Sequence, residues 1–121
     1  MAHVIMIVDD AASVRELIGF TLENAGYKVI KAKDGQDALS KMDTHRPDLL
    51  LTDLNMSKMD GFELIRNVRS NPRFKFMPIV VITTEFDASK KKEAKAAGAT
   101  AWIAKPFKAD MILSVLRKLL A

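Results

Sequence analysis

Three carboxylates, a hydroxyl and an ammonium in this chain stand where apolar runs end. Val4-Ile5-Met6-Ile7-Val8 stops at Asp9-Asp10, Leu49-Leu50-Leu51-Thr52 at Asp53, Ile79-Val80-Val81-Ile82 at Thr83, and Ala101-Trp102-Ile103-Ala104 at Lys105. A carboxylate can attack phosphorus and hold the group as an acyl phosphate. The group in flight carries charge on its equatorial oxygens, which an ammonium, a hydroxyl and loop amides stabilise. Acids with no histidine or thiolate among them are all-oxygen donors. That is the chemistry of a hard ion such as Mg2+, which keeps several waters and accepts phosphoryl oxygens. These residue types make a phosphoryl-transfer site, provided that the fold brings them together.

The elements that must do so are legible as changes of period. Short apolar runs alternating with helical patterns predict a parallel sheet covered on both faces. Strands are predicted at Val4–Val8, Lys28–Ala32, Leu49–Thr52, Ile79–Thr83 and Ala101–Ala104. Val14, Leu17, Ile18, Thr21 and Leu22 recur at helical spacing in a first helix, Ala12 to Ala25, which Gly26 stops. Asp34 N-caps a second helix, Gly35 to Asp43, that buries Ala38, Leu39 and Met42. A third runs from Gly61 to Ser70, and Asp87 caps a fourth that ends at Ala97 before Gly98. The fifth, Asp110 to Leu120, is amphipathic, with Lys108 where a capping side chain belongs. Strands of such a sheet all end at one edge, where open α/β sheets bind their ligands.

A chain of 121 residues with no cysteine predicts one domain, 1–121, and excludes a disulfide framework or a thiolate metal site. The first strand begins almost at Met1, which leaves no room for a signal peptide, and no apolar stretch is long enough to span a bilayer. The expectation is a cytoplasmic protein without membrane insertion. The net charge is +4, yet the acids gather at the proposed site, so the excess base lies on another face. The fourth helix carries part of it, with Lys90, Lys91, Lys92 and Lys95 to solvate and only alanines to bury. Without a helix-turn-helix or interleaved aromatics, that face reads as solvated and not as a nucleic-acid interface.

Asp9-Asp10, Asp53-Leu54-Asn55-Met56, Met59-Asp60-Gly61, Thr83 and Lys105-Pro106-Phe107 together resemble the signature of bacterial response-regulator receiver domains, the stand-alone chemotaxis regulators above all. The resemblance covers the whole chain. It implies a doubly wound, flavodoxin-like α/β fold, a five-stranded parallel sheet in order 2-1-3-4-5 with five helices and no output domain. It further implies a monomeric phospho-acceptor that takes its phosphoryl group from a sensor histidine kinase in a Mg2+-dependent reaction. Signalling would follow by phosphorylation-dependent contact with a downstream protein, in chemotaxis or motility or as a phosphorelay intermediate. Such a domain is not an enzyme on a separate substrate, since it catalyses only its own phosphorylation and dephosphorylation.

On this reading Asp53 is the nucleophile, and Thr83 and Lys105 stabilise the transferred group. Asp10 and Asp53 are direct Mg2+ ligands with the Asn55 backbone carbonyl, and Asp9 acts through water. Without metal the gathered carboxylates repel one another, so Asp9→Ala is expected to stabilise the metal-free chain. Asn55 and Glu85 match family positions that modulate hydrolysis of the acyl phosphate. Pro106 restricts Lys105 to extended geometry, and in the family this peptide is cis. Ser57 departs from the usual Pro after Met56, which enlarges the unfolded ensemble and removes one constraint on the loop. Trp102 stands where the family has a switch aromatic, which moves inward when the residue matching Thr83 is drawn to the phosphoryl group. The weakly anchored fourth helix suits repositioning. Its lysines predict an acidic partner surface, contacted by Lys90, Lys91, Lys95 and Trp102 with Phe86 as an apolar anchor.

Two other chemistries fit less well. A phosphatase of the haloacid dehalogenase type also uses Asp, Thr, Lys and Mg2+, but it needs a second Asp two residues after the nucleophile, where Asn55 stands. A flavodoxin-like nucleotide binder would place small residues with free amides after the first strand, where Asp9-Asp10 would repel phosphate.

Overall fold

Odd and even positions of the central strands are both apolar, so side chains that alternate across the sheet demand cover on both faces. The computed structural model describes residues 2–84 and 87–120. The strands β1 (Val4–Val8), β2 (Lys28–Ala32), β3 (Leu49–Thr52), β4 (Ile79–Thr83) and β5 (Ala101–Ala104) alternate with helices α1 (Ala12–Asn24), α2 (Gly35–His45), α3 (Gly61–Ser70), α4 (Ala88–Ala97) and α5 (Ala109–Leu119). All strand pairs are parallel, in the order β2-β1-β3-β4-β5.

The alternation divides the core. Met6, Val8, Leu50, Ile79 and Val81 meet Ala38 and Met42 of α2, Leu64, Ile65 and Val68 of α3, and Ala94 of α4. On the other face Ile5, Ile7, Leu49, Leu51, Val80, Ile82 and Ile103 meet Ile18 and Leu22 of α1 and Ile112 and Leu116 of α5. Full burial of a large aliphatic side chain contributes about 1.5–3 kcal/mol. Helix α3 buries Phe62, Leu64, Ile65 and Val68, whereas α4 buries Ala94 alone. Helix α4 is therefore held far more lightly than its neighbours.

Polar caps set most helix starts. The carboxylates of Asp34, Asp60 and Asp87 accept from the N–H groups of Asp37 (2.8 Å), Glu63 (2.9 Å) and Ser89 (2.8 Å) at the heads of α2, α3 and α4. Lys108, ahead of α5, supplies no side-chain cap. Helix α2 runs two residues past the expected end, to His45, and closes with Arg46 in the left-handed region (φ 44°), its N–H donating to the Met42 carbonyl. Helix α1 ends one residue early, and α5 begins and ends one residue early.

The long connection between α3 and β4 has its own support. A single 3-10 turn, Pro72–Phe74, interrupts it. The Arg69 guanidinium reaches back from α3 and donates to the carbonyls of Phe74 (3.0 Å), Lys75 (3.1 Å) and Met77 (2.7 Å), and also to Gly98 (2.8 Å) behind α4. These carbonyls have no strand partner, and a planar fork of donors satisfies several at once. Burial pulls the Arg69 pKa below its ordinary value.

Candidate functional site

Because every strand points the same way, the residues after β1, β3, β4 and β5 converge on one edge of the sheet. Asp9 follows β1 and Asp53 follows β3, only 2% and 8% exposed. Thr83 ends β4 and is fully buried. Lys105 follows β5, and its Nζ lies 2.9 Å from Asp9 Oδ2 and 3.1 Å from Asp53 Oδ2. The backbone N–H of Lys105 donates to the Thr83 carbonyl at 2.8 Å, and its peptide bond to Pro106 is cis.

The second oxygen of each acid is also satisfied. Asp9 Oδ1 accepts the N–H of Ala11 at 2.9 Å, just ahead of α1. Asp53 Oδ1 accepts from the N–H groups of Leu54 (2.7 Å) and Asn55 (3.4 Å). The loop beyond is seated by Gly61, where a Cβ would stand 2.7 Å from Leu54 Cα and collide with the Asp53 carbonyl oxygen. Within that loop Lys58 is left-handed (φ 59°), and the N–H of Met59 donates to the Ser57 carbonyl at 2.6 Å. The Met59 side chain then rests on Gly35 at the head of α2. Backbone turns and this contact hold the loop without a proline at Ser57.

Burial alone pulls the Lys105 pKa down, but hydrogen bonds to Asp9 and Asp53 and the charge of both carboxylates outweigh it, so the pKa sits above the ordinary lysine value. A raised lysine pKa adds stability that is present in full below the unfolded value and is lost as pH rises through the folded one. This bears on the repulsion expected of the metal-free carboxylates. Asp9 and Asp53 are not left to repel each other, because the chain's own ammonium stands between them.

The remaining residues are placed less tightly. Asp10 and Asn55 are exposed. Among the described residues no three His, Cys, Asp or Glu side chains form a metal-holding cluster. The donor types still suit a hard ion: carboxylates of Asp10 and Asp53 and a backbone carbonyl, oxygen throughout. Glu85 and Phe86 lie outside the described residues. Lys91, Lys95 and half-buried Trp102 line a 220 Å3 groove between α4 and β5. Lys90 is not among its lining residues and stands 5.6 Å from the Phe62 ring centroid instead. Arg15 was not anticipated, yet it donates from α1 to the Asp9 carbonyl. Its place one turn into the helix after Asp9-Asp10 was the available signal.

The family model of the response regulator receiver domain matches residues 5–117. This chain belongs to that family. Chemotaxis protein CheY1 of Helicobacter pylori is 37% identical over 118 residues, 96% of this receiver domain and 95% of that protein. The solved chemotaxis protein CheY4 of Vibrio cholerae matches it with a TM-score of 0.95 at 41% identity, over 98% of this chain and 99% of that one. A receiver domain from a Pseudomonas aeruginosa sensor histidine kinase, solved with a magnesium ion coordinated in its active-site cleft, matches with a TM-score of 0.91 at 25% identity, over 99% of this chain and 98% of that one.

The paired geometry sets a sign that can be measured. In metal-free buffer Asp9→Ala and Lys105→Met should each destabilise the receiver domain at neutral pH by about 1–3 kcal/mol, with a coupling of about 0.5–3 kcal/mol between them in a double-mutant cycle. The deficit of Lys105→Met should stay constant from neutral pH up to the ordinary lysine value of 10.5 and shrink above it. Urea denaturation of the two single variants and the double variant checks this, and a more stable Asp9→Ala would restore the repulsion account.

Proposed function

We propose that this receiver domain accepts a phosphoryl group on Asp53 from a phosphohistidine of a sensor histidine kinase, in a Mg2+-dependent reaction. The observation that carries the reading is the contact of Lys105 with Asp53, which sets an ammonium against a nearly buried carboxylate at the carboxyl edge of the sheet. An oxygen of Asp53 attacks phosphorus in line, the phosphorus–nitrogen bond of the donor breaks, and the donor ring, already protonated on its other nitrogen, leaves as neutral imidazole while an acyl phosphate forms on Asp53. Lys105 follows the negative charge from the carboxylate to the phosphoryl oxygens, and the Thr83 hydroxyl and the amides after Asp53 donate to the same oxygens.

Asp10, Asp53 and the Asn55 carbonyl would hold Mg2+, with Asp9 acting through water, and the magnesium in the cleft of the Pseudomonas receiver domain supports Mg2+ as the ion. When bound, the ion supplies positive charge against the phosphoryl oxygens. Asn55 and Glu85, the latter outside the described residues, match the family positions that set the lifetime of the acyl phosphate. With no dedicated base among these residues, the domain resets itself without acting on any other substrate.

Output runs through α4 and β5. Helix α4 is lightly anchored, so a pull on Thr83 costs little to transmit to it, and Trp102 packs at the rim of the same core face. The groove beside Lys91, Lys95 and Trp102 then meets an acidic partner surface. The similarity to CheY1 and CheY4 supports a target in chemotaxis or motility.

Acetyl phosphate with Mg2+ should add one phosphoryl group, readable by intact mass, and Asp53→Asn or EDTA should abolish it. Undiminished labelling of Asp53→Asn would move the acceptor elsewhere. For a target captured with beryllofluoride-treated protein, Lys91→Glu should weaken binding by about 1–3 kcal/mol and flatten its salt dependence without changing Asp53 labelling. Equal affinity of wild type and Lys91→Glu would place output on another face.

A further inference from the structure

The opposite end of the sheet carries a feature that phosphoryl transfer does not use. A groove of 470 Å3 is lined by residues 46–48, ahead of β3, and by residues 72–74, 76 and 77, ahead of β4, with Lys75 beside it in the chain. Strands β3 and β4 separate it from the Asp53 edge by about 15 Å, at about 3.3 Å per residue. Phe74 and Met77 are buried at its floor, 5% and 8% exposed, while Phe76 beside them is 88% exposed. The exposure is not that of a slack loop. Arg69 holds the carbonyls of Phe74, Lys75 and Met77, on either side of Phe76. A large ring held in water by a fixed backbone favours any partner that covers it.

The charges around the ring define the partner. Among the described residues Arg46 and Lys75 form no ion pair, so both positive charges face solvent. Arg73 lies 3.8 Å from Asp43, and the Asp48 carboxylate accepts the N–H of Val4 at 2.7 Å. With Arg46, Arg73 and Lys75 set against Asp43 and Asp48, the formal surplus around the groove is cationic. Arg73 and Lys75 also stand over the rings of Phe74 and Phe76, each 5.6 Å from the centroid. The surface is concave with a single projecting ring, which suits an inserted side chain better than a flat bilayer. Its volume falls within the about 300–1,000 Å3 of pockets that bury compact ligand groups.

We propose that this amino-edge groove is a second docking surface, and that its occupant is an acidic protein segment that inserts an apolar side chain against Phe76 while its carboxylates meet Arg46 and Lys75. It is independent of the phospho-acceptor reading, because none of its residues touches the Asp53 edge. The probe is a short synthetic peptide carrying Phe and Leu within a run of Glu and Asp, titrated into the full chain and followed by amide nitrogen–proton correlation spectra.

Shifts should gather at residues 46–48 and 72–77, and affinity should fall about tenfold in Phe76→Ser and in Lys75→Glu. Added salt should weaken binding further. Both side chains project into solvent, and melting curves confirm that each variant is folded. Absence of shifts, shifts unchanged in both variants, or a response of the same residues to phosphatidylglycerol vesicles or oligothymidylate in place of the peptide would each overturn the proposal.

Discussion

A lysine ammonium held between two carboxylates from different strands is the constraint around which this receiver domain is arranged. Charges this far from water are tolerated only when paired and hydrogen-bonded, and removing one partner exposes the full cost of the others. The sheet order decides whether pairing is possible. Strand β4 lies between β3 and β5, so with strands about 4.8 Å apart Lys105 must span about 10 Å to reach Asp53. Its long stem does so from a backbone held at β4 by the bond to the Thr83 carbonyl. The other oxygens of Asp9 and Asp53 are taken by N–H groups of the turns that follow them. Strand order, turn geometry and charge pairing are therefore one requirement seen at three scales.

Strands β1, β3, β4 and β5 were legible because each apolar run ends abruptly at a polar residue, and these four and β2 all match residue for residue. The Asp34 and Asp87 caps were legible for the same kind of reason, a short acceptor just ahead of a helical pattern. The end of α2 was not: Thr44 and His45 carry no apolar periodicity, and the stop is a left-handed arginine where a glycine would have been the usual sign. Arg69 and the 3-10 turn left no periodic trace, because one guanidinium serving the carbonyls of an irregular segment is a tertiary event. At the site the residue types could be read, but not that Lys105 would neutralise Asp9 and Asp53. That depends on which strands are neighbours, which spacing alone does not specify.

Rigidity is unevenly distributed around the sheet. The Asp53 edge is pinned by ion pairs, turns and the close approach of Gly61. Helix α4, one connection away, rests on Ala94. A segment with few apolar anchors opens at lower free energy than the core, which is what a movable output element needs. Arg69 joins this helix to the far end of the fold, because the same guanidinium that holds the loop around Phe76 also bonds the Gly98 carbonyl at the close of α4. The amino-edge groove and helix α4 thus share a physical connection that bypasses Asp53.

The central claim is that Asp53 is the acceptor and that Lys105 transfers its contact from the Asp53 carboxylate to the incoming group. A crystal structure of the domain with Mg2+ and beryllofluoride tests this most directly. The account predicts beryllium bonded to an Asp53 carboxylate oxygen, Lys105 Nζ within hydrogen-bond distance of a fluorine, and its contact with Asp53 Oδ2 released. Beryllofluoride bound at any other side chain, or a Lys105 that keeps its Asp9 and Asp53 contacts and leaves the fluorines to solvent, would contradict it.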